Sequence, residues 1–208
     1  AILPEKSWNT TINWNKKLYT KYGAILDLDF SVFKTAFSNR ILPDYETNPN
    51  QIIYGNLDGK AITQGATVTI NGMFANGLKI NMGATFIDSK IINNNQTEYP
   101  FLTEKFSGNY QLNYTLYNPK ITIDISGTVI GPMKLPLLGE LDTRAPYSPI
   151  INIVNLQATY AIKTIELYAG IKNILDFKPA SNSIARAFDP FDSGVEFGAN
   201  GQVIATPN

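Results

Sequence analysis

The chain is 208 residues long with 17 Lys and Arg against 17 Asp and Glu, so its formal charge is zero and no broad electrostatic attraction to nucleic acid is expected. It contains no Cys and no His, which excludes disulfides, thiolate metal sites, triad hydrolysis and His-based zinc chemistry. Only 16% of residues are charged while 44% are hydrophobic and 12% aromatic, a balance that favours strands, and the length suits a single β-barrel unit.

Taken in chain order, eight stretches alternate apolar and polar residues with period two. The first is irregular: Trp8, Ile12 and Trp14 alternate with Asn9, Thr11, Asn13 and Asn15, but Thr10 and Lys16 fall on the apolar side. Leu26, Leu28, Phe30 and Val32 follow, set against Asp27, Asp29 and Ser31. The runs Ala66 to Phe74 and Leu78 to Phe86 form a hairpin around Ala75-Asn76-Gly77, where Asn-Gly suits a tight two-residue turn. Leu112, Tyr114 and Leu116 come next. The cleanest run then places Ile121, Ile123, Ile125, Gly127 and Val129 against Thr122, Asp124, Ser126 and Thr128. Val154 to Ile162 and Ile165 to Ile171 complete the set. One face is fit for hydrocarbon and the other for water.

Short links at Tyr19–Gly23, Ala75–Gly77, Asn118-Pro119 and Ile162–Thr164 take turns with long polar links near Phe37–Gln51, Asp88–Lys105 and Gly131–Ser148. That order predicts an all-β, antiparallel up-and-down transmembrane β-barrel with short periplasmic turns and long extracellular loops over residues 1–176. Tyr19, Tyr22, Phe74, Tyr117 and Tyr160 lie at or near the short-turn edge, where an interfacial girdle would sit, although Tyr and Phe are also simply good strand formers. No apolar run approaches the roughly 20 residues of a membrane helix. Residues 177–208 carry Pro179, Pro190 and Pro207 and no clean alternation, so they read as a loop or tail. An open eight-stranded sheet in lipid leaves two unsatisfied edges, so the strands are expected to belong to a larger barrel. The chain starts without an initiator Met or signal pattern, as a processed product or an excerpt would.

Candidate ligand contacts come from side-chain chemistry in the long links. Arg40, Asp44 and Tyr45 cluster in the first, Asp142, Arg144 and Tyr147 in the third, and Arg186 stands beside Phe188 in the tail. An Arg fork next to an aromatic can grip a carboxylate or a sugar ring, and the same trio also fits a solvated loop braced by an internal salt bridge. Asp27, Asp29, Lys79, Asp124, Glu166 and Lys172 face the polar side, where lumen networks are expected. The pairs Asp27/Asp29 and Asp189/Asp192 lack any accompanying catalytic signature. No enzyme activity, cofactor or resident metal is expected.

Leu3-Pro4-Glu5-Lys6-Ser7, Phe37 to Tyr45, Asn48 to Gly59, Val154 to Tyr160, Gly170-Ile171-Lys172-Asn173-Ile174-Leu175-Asp176 and Phe188-Asp189-Pro190-Phe191-Asp192 together resemble the C-terminal third of Bacteroidetes-type TonB-dependent outer-membrane receptors. The resemblance implies about eight consecutive strands of a roughly 22-stranded barrel of the Gram-negative cell outer membrane. It also implies a plug domain and a TonB-engaging motif in an N-terminal region outside this chain, and in part of the family a surface-exposed lipoprotein. The implied activity is receptor-mediated import of a scarce ligand (siderophore, cobalamin, oligosaccharide or peptide) driven through TonB, with outer-membrane lipid around the barrel. Two other classes stay open: a passive small outer-membrane barrel or porin, and a soluble all-β ligand-binding module, because period-two alternation alone does not separate lipid from core.

Overall fold

The computed structural model describes residues 2–44, 52–93, 96–137, 145–178, 194, 196–197 and 203–205. Its strands, in chain order, are β1 (Ser7–Tyr19), β2 (Ile25–Phe37), β3 (Ile41–Asp44), β4 (Ile53–Asn56), β5 (Lys60–Met73), β6 (Leu78–Asn93), β7 (Gln96–Glu98), β8 (Phe106–Tyr117), β9 (Lys120–Ile130), β10 (Ile151–Ile162), β11 (Ile165–Ile171), β12 (Glu196–Phe197) and β13 (Val203–Ala205). The main sheet runs β1-β2-β5-β6-β8-β9-β10-β11, every neighbour antiparallel, with β7 folded back on the end of β6. Two small hairpins, β3–β4 and β12–β13, stand apart from it. The tail therefore carries a short hairpin where the sequence reads as loop; strands of two and three residues are too short to show alternation.

Register aligns the alternating faces across the whole sheet. One perpendicular row joins Leu18, Leu26, Gly72, Ile80, Leu112, Ile125, Leu156 and Ile171, all apolar or glycine. The neighbouring row on the opposite face joins Lys17, Asp27, Asn71, Asn81, Gln111, Ser126 and Asn155. The first row starts one residue from the end of β1 and reaches β10 six residues from its end. A slip of five residues at about 3.4 Å each, over six strand spacings of about 4.8 Å, inclines the strands by roughly 30°. Such a stagger is what a closing barrel requires.

The apolar face has the dimensions of a membrane band. From Leu78 to Phe86 on β6 it runs about 27 Å along the strand, about 23 Å in height at that inclination, close to the roughly 25 Å apolar band of outer-membrane barrels. It is uncovered: Phe86, Ile123 and Leu167 expose 59%, 37% and 57% of their surface. A soluble sandwich would bury this face under a second sheet, and among the described residues no second layer lies on it. Among those residues β1 pairs only with β2 and β11 only with β10, so the sheet is an open wall rather than a closed barrel.

The turns correct one expectation. The Asn76-Gly77 connection is a three-residue loop, because Phe74 N donates to the Leu78 carbonyl at 2.9 Å and Gly77 N to the Phe74 carbonyl at 3.2 Å. Only Gly77 has positive φ, at 87°, whereas a two-residue turn of the primed type needs both central residues there. The first turn repeats the design with Thr20, Ala24 and Gly23 at φ 74°. Register also moves two of the girdle aromatics: Tyr19 pairs with Ile25 and Tyr117 with Lys120, both at polar-face positions, leaving Phe74 and Tyr160 in register with the outward face.

At the other end β5 begins at Lys60 and β6 continues to Asn93, further than the alternation suggests. Beyond the apolar band the outward row becomes Thr10, Lys34, Gln64 and Asp88, so the period-two signal disappears while backbone pairing goes on. The buried Ala61, Ser89 and Ile91 lie on the polar face at this end, and Leu135, Pro136 and Ser148 of the third long link are buried with them. The small core thus lies where the long links fold across the polar face.

Candidate functional site

Three long links meet over the polar face and enclose a cleft of about 780 Å³. The β3–β4 hairpin forms one wall, residues Glu98 to Phe101 of the second link another, and Lys134 enters from the third. The hairpin is pinned at its base by the segment preceding β1. Asn56 accepts from Leu3 N through Oδ1 at 2.6 Å and donates through Nδ2 to the carbonyls of Leu3 at 2.9 Å and Asn39 at 3.2 Å. Glu5 accepts from Ile41 N at 2.8 Å, and Lys6 O accepts from Ser38 N at 2.9 Å. The second and third links are tied by Leu102 N donating to Lys134 O at 2.8 Å, and the third is closed on itself by Leu135 N to Pro146 O at 3.0 Å.

Of the residues singled out from sequence, Arg40 and Asp44 line this cleft together. Arg40 Cζ stands 5.0 Å from the Phe37 ring centroid, and its carbonyl accepts from Leu57 N at 2.8 Å. Its Nη1 is buried with no hydrogen-bond partner. Asp44 closes β3 opposite Ile53. Tyr147 bridges Lys134 across the third link and does not line the cleft itself. Tyr45, Asp142, Arg144 and Arg186 lie outside the described residues. Sequence reasoning passed over Lys134, Tyr99 and Phe101. Lys134 Nζ sits 4.5 Å from the Phe101 centroid, and Lys105 Nζ 5.2 Å from that of Tyr99. The signal available for them was Tyr99-Pro100-Phe101, two rings around a proline in a polar link.

Just beyond the apolar band, on the outward face, Lys90 Nζ donates to Asp88 Oδ2 at 2.8 Å and Gln64 Nε2 to the same oxygen at 3.2 Å. The Lys90 hydrogen bond holds the Asp88 carboxyl below the ordinary carboxylate range, and the same bond raises the Lys90 ammonium. A paired charge row of this kind marks where strands leave the apolar band.

The polar face below the cleft is stitched by amides and hydroxyls. Asn15 Nδ2 donates to Asp27 at 2.9 Å and to Asp29 at 2.7 Å, Asn113 Nδ2 to Asp124 at 2.6 Å, and Asn81 Nδ2 to Asn71 Oδ1. Thr67 pairs with Thr85 at 3.1 Å and Thr63 with Ser89 at 2.9 Å. The expected networks are therefore amide-to-carboxylate ladders. Among the described residues Lys79, Glu166 and Lys172 join no ion pair.

The sequence from residue 2 to 174 matches the family described as TonB dependent receptor-like, beta-barrel. The chain belongs to that family. As a TonB-dependent receptor barrel it shares the fold of several solved structures. The ferric-catecholate import receptor Fiu from K12 E. coli superposes with a TM-score of 0.66 at 16% identity, covering 89% of this chain and 25% of that one. The pyoverdine outer membrane receptor FpvA from Pseudomonas aeruginosa PAO1 gives 0.66 at 18% identity, covering 87% and 27%. The copper transporter OprC gives 0.61 at 15% identity, covering 100% and 30%. This receptor segment thus spans about a quarter to a third of the length of the structures it matches. No curated protein matches the sequence.

Proposed function

We propose that the chain is part of the barrel wall of a Gram-negative outer-membrane transporter that imports a scarce ligand at the expense of TonB-coupled energy. The observation that carries this reading is the sheet itself: an uncovered apolar band about 23 Å high on one face, a hydrogen-bonded polar face on the other, and family membership over residues 2–174. The long-loop end faces the outside of the cell and the short turns face the periplasm. There the cleft lined by Arg40 and Asp44 is the first docking place for ligand, and Tyr45, Asp142, Arg144, Tyr147 and Arg186 are the further contacts that the sequence of the long links and tail offers. The amide ladder on the polar face receives the plug domain supplied by the rest of the polypeptide, through which TonB acts. The Leu3-Pro4-Glu5-Lys6-Ser7 opening supports the Bacteroidetes-type branch, in which a surface lipoprotein can cap the barrel.

The test is genetic. A strain lacking the full-length gene is grown with iron, cobalamin or glycans limiting in turn, with and without TonB. A growth defect on one nutrient is expected, which the restored gene cures only when TonB is present. A cure that is independent of TonB would establish a passive pore instead.

A further inference from the structure

Among the described residues, two cations of the cleft stand out of salt-bridge contact with the carboxylates that line it. Arg40 and Lys134 line it with Asp44, Asp58 and Glu98, yet among the described residues neither cation forms an ion pair. Each lies instead against a ring, Arg40 at 5.0 Å from Phe37 and Lys134 at 4.5 Å from Phe101. An aromatic face orients a cation without using up its N–H donors. Main-chain bonds fix both residues, Leu57 N donating to Arg40 O and Leu102 N to Lys134 O, each at 2.8 Å. Nη1 of Arg40 is buried and donates to nothing. A buried guanidinium donor is expensive to leave unmatched, so an acceptor from outside the chain is the natural way to complete it.

From this we infer that the cleft takes a ligand presenting anionic oxygens, a carboxylate, catecholate or phosphate, held between Arg40 and Lys134. The inference rests on the uptake reading and names the chemical class of its ligand. Hydrogen bonds from a guanidinium to an anionic oxygen are about twice as strong as those between neutral groups.

The test titrates the full-length receptor in detergent with four probes. Ferric tris-catecholate and oligogalacturonate are the anionic members; a neutral ferric trihydroxamate and a malto-oligosaccharide are their uncharged counterparts. At least one anionic probe is expected to bind. Arg40→Gln and Lys134→Gln should each weaken it roughly 10- to 100-fold, with Arg40→Lys intermediate and binding weaker in high salt. Heat-dependent gel migration verifies that each variant barrel is folded. Binding of neutral probes alone, failure of both anionic probes, or anionic binding indifferent to Arg40→Gln overturns the inference. TonB-dependent uptake of a neutral probe sinks the anion site and leaves the transport reading standing. Anion binding without TonB-dependent uptake does the reverse.

Discussion

Gly127 faces outward in the apolar band with the ring of Tyr110 folded over it, so that a Cβ added there would lie 2.3 Å from the ring's Cζ and 2.4 Å from its hydroxyl. The obstacle is the end of a side chain, which can be removed. Gly127→Ala is therefore expected to destabilise the folded barrel by about 1–3 kcal/mol, and Tyr110→Ala in the same molecule to recover most of that loss. Denaturant unfolding of the four species of the cycle measures it; additive losses would mean that the ring does not occupy the glycine's space. Arg40 illustrates what a single residue reveals in sequence. Its type, with Tyr45 nearby, pointed to a grip on a carboxylate or a sugar ring, but that its guanidinium lies against Phe37 with Nη1 buried and unmatched depends on the fold of three separate links. Lys134 was invisible for the same reason: between Met133 and Leu135 it reads as an ordinary loop lysine.

At the scale of elements, β9 was fully legible, because inside the membrane band alternation and pairing coincide. The upper ends of β5 and β6 were not, since Gln64, Asp88 and Lys90 break the apolar face while the strands continue to pair. The Asn76-Gly77 turn was legible in position and wrong in length, because the dipeptide does not reveal that Phe74 and Leu78 already pair. The β3–β4 hairpin escaped altogether; its strands are four residues each and contain Pro43 and Gly55. Its position depends on residues far away in the chain, chiefly Asn56 gripping both the N–H and the carbonyl of Leu3. Asn56→Ala removes three such bonds in a partly exposed setting. It is expected to loosen the hairpin by about 1–2 kcal/mol, seen as roughly tenfold faster deuterium exchange at Ile41 to Asp44 with the main sheet unaffected. Unchanged exchange in the hairpin would place its anchorage elsewhere.

For the whole molecule, the alternation of faces and links was enough to read a membrane sheet, and register turns that reading into dimensions. The row from Leu18 to Ile171 shows that eight irregularly spaced stretches share one apolar surface, and its slip gives the strands their inclination. The open edges at β1 and β11 fit a wall segment of a larger cylinder. The cleft was not legible as a whole, because it is assembled from links that the chain separates by tens of residues and the sheet brings together. What joins these scales is the proposed placement of that cleft on the outer side of a membrane-spanning wall.

Single-cysteine labelling of the full-length receptor on intact cells tests that placement most directly, since this chain brings no cysteine of its own. A membrane-impermeant maleimide should label Glu98→Cys, at the long-loop end, on intact cells. Asn76→Cys and Lys163→Cys, in the short turns, should react only after the outer membrane is permeabilised. Equal labelling of all three on intact cells, or labelling of the short turns alone, would contradict the account.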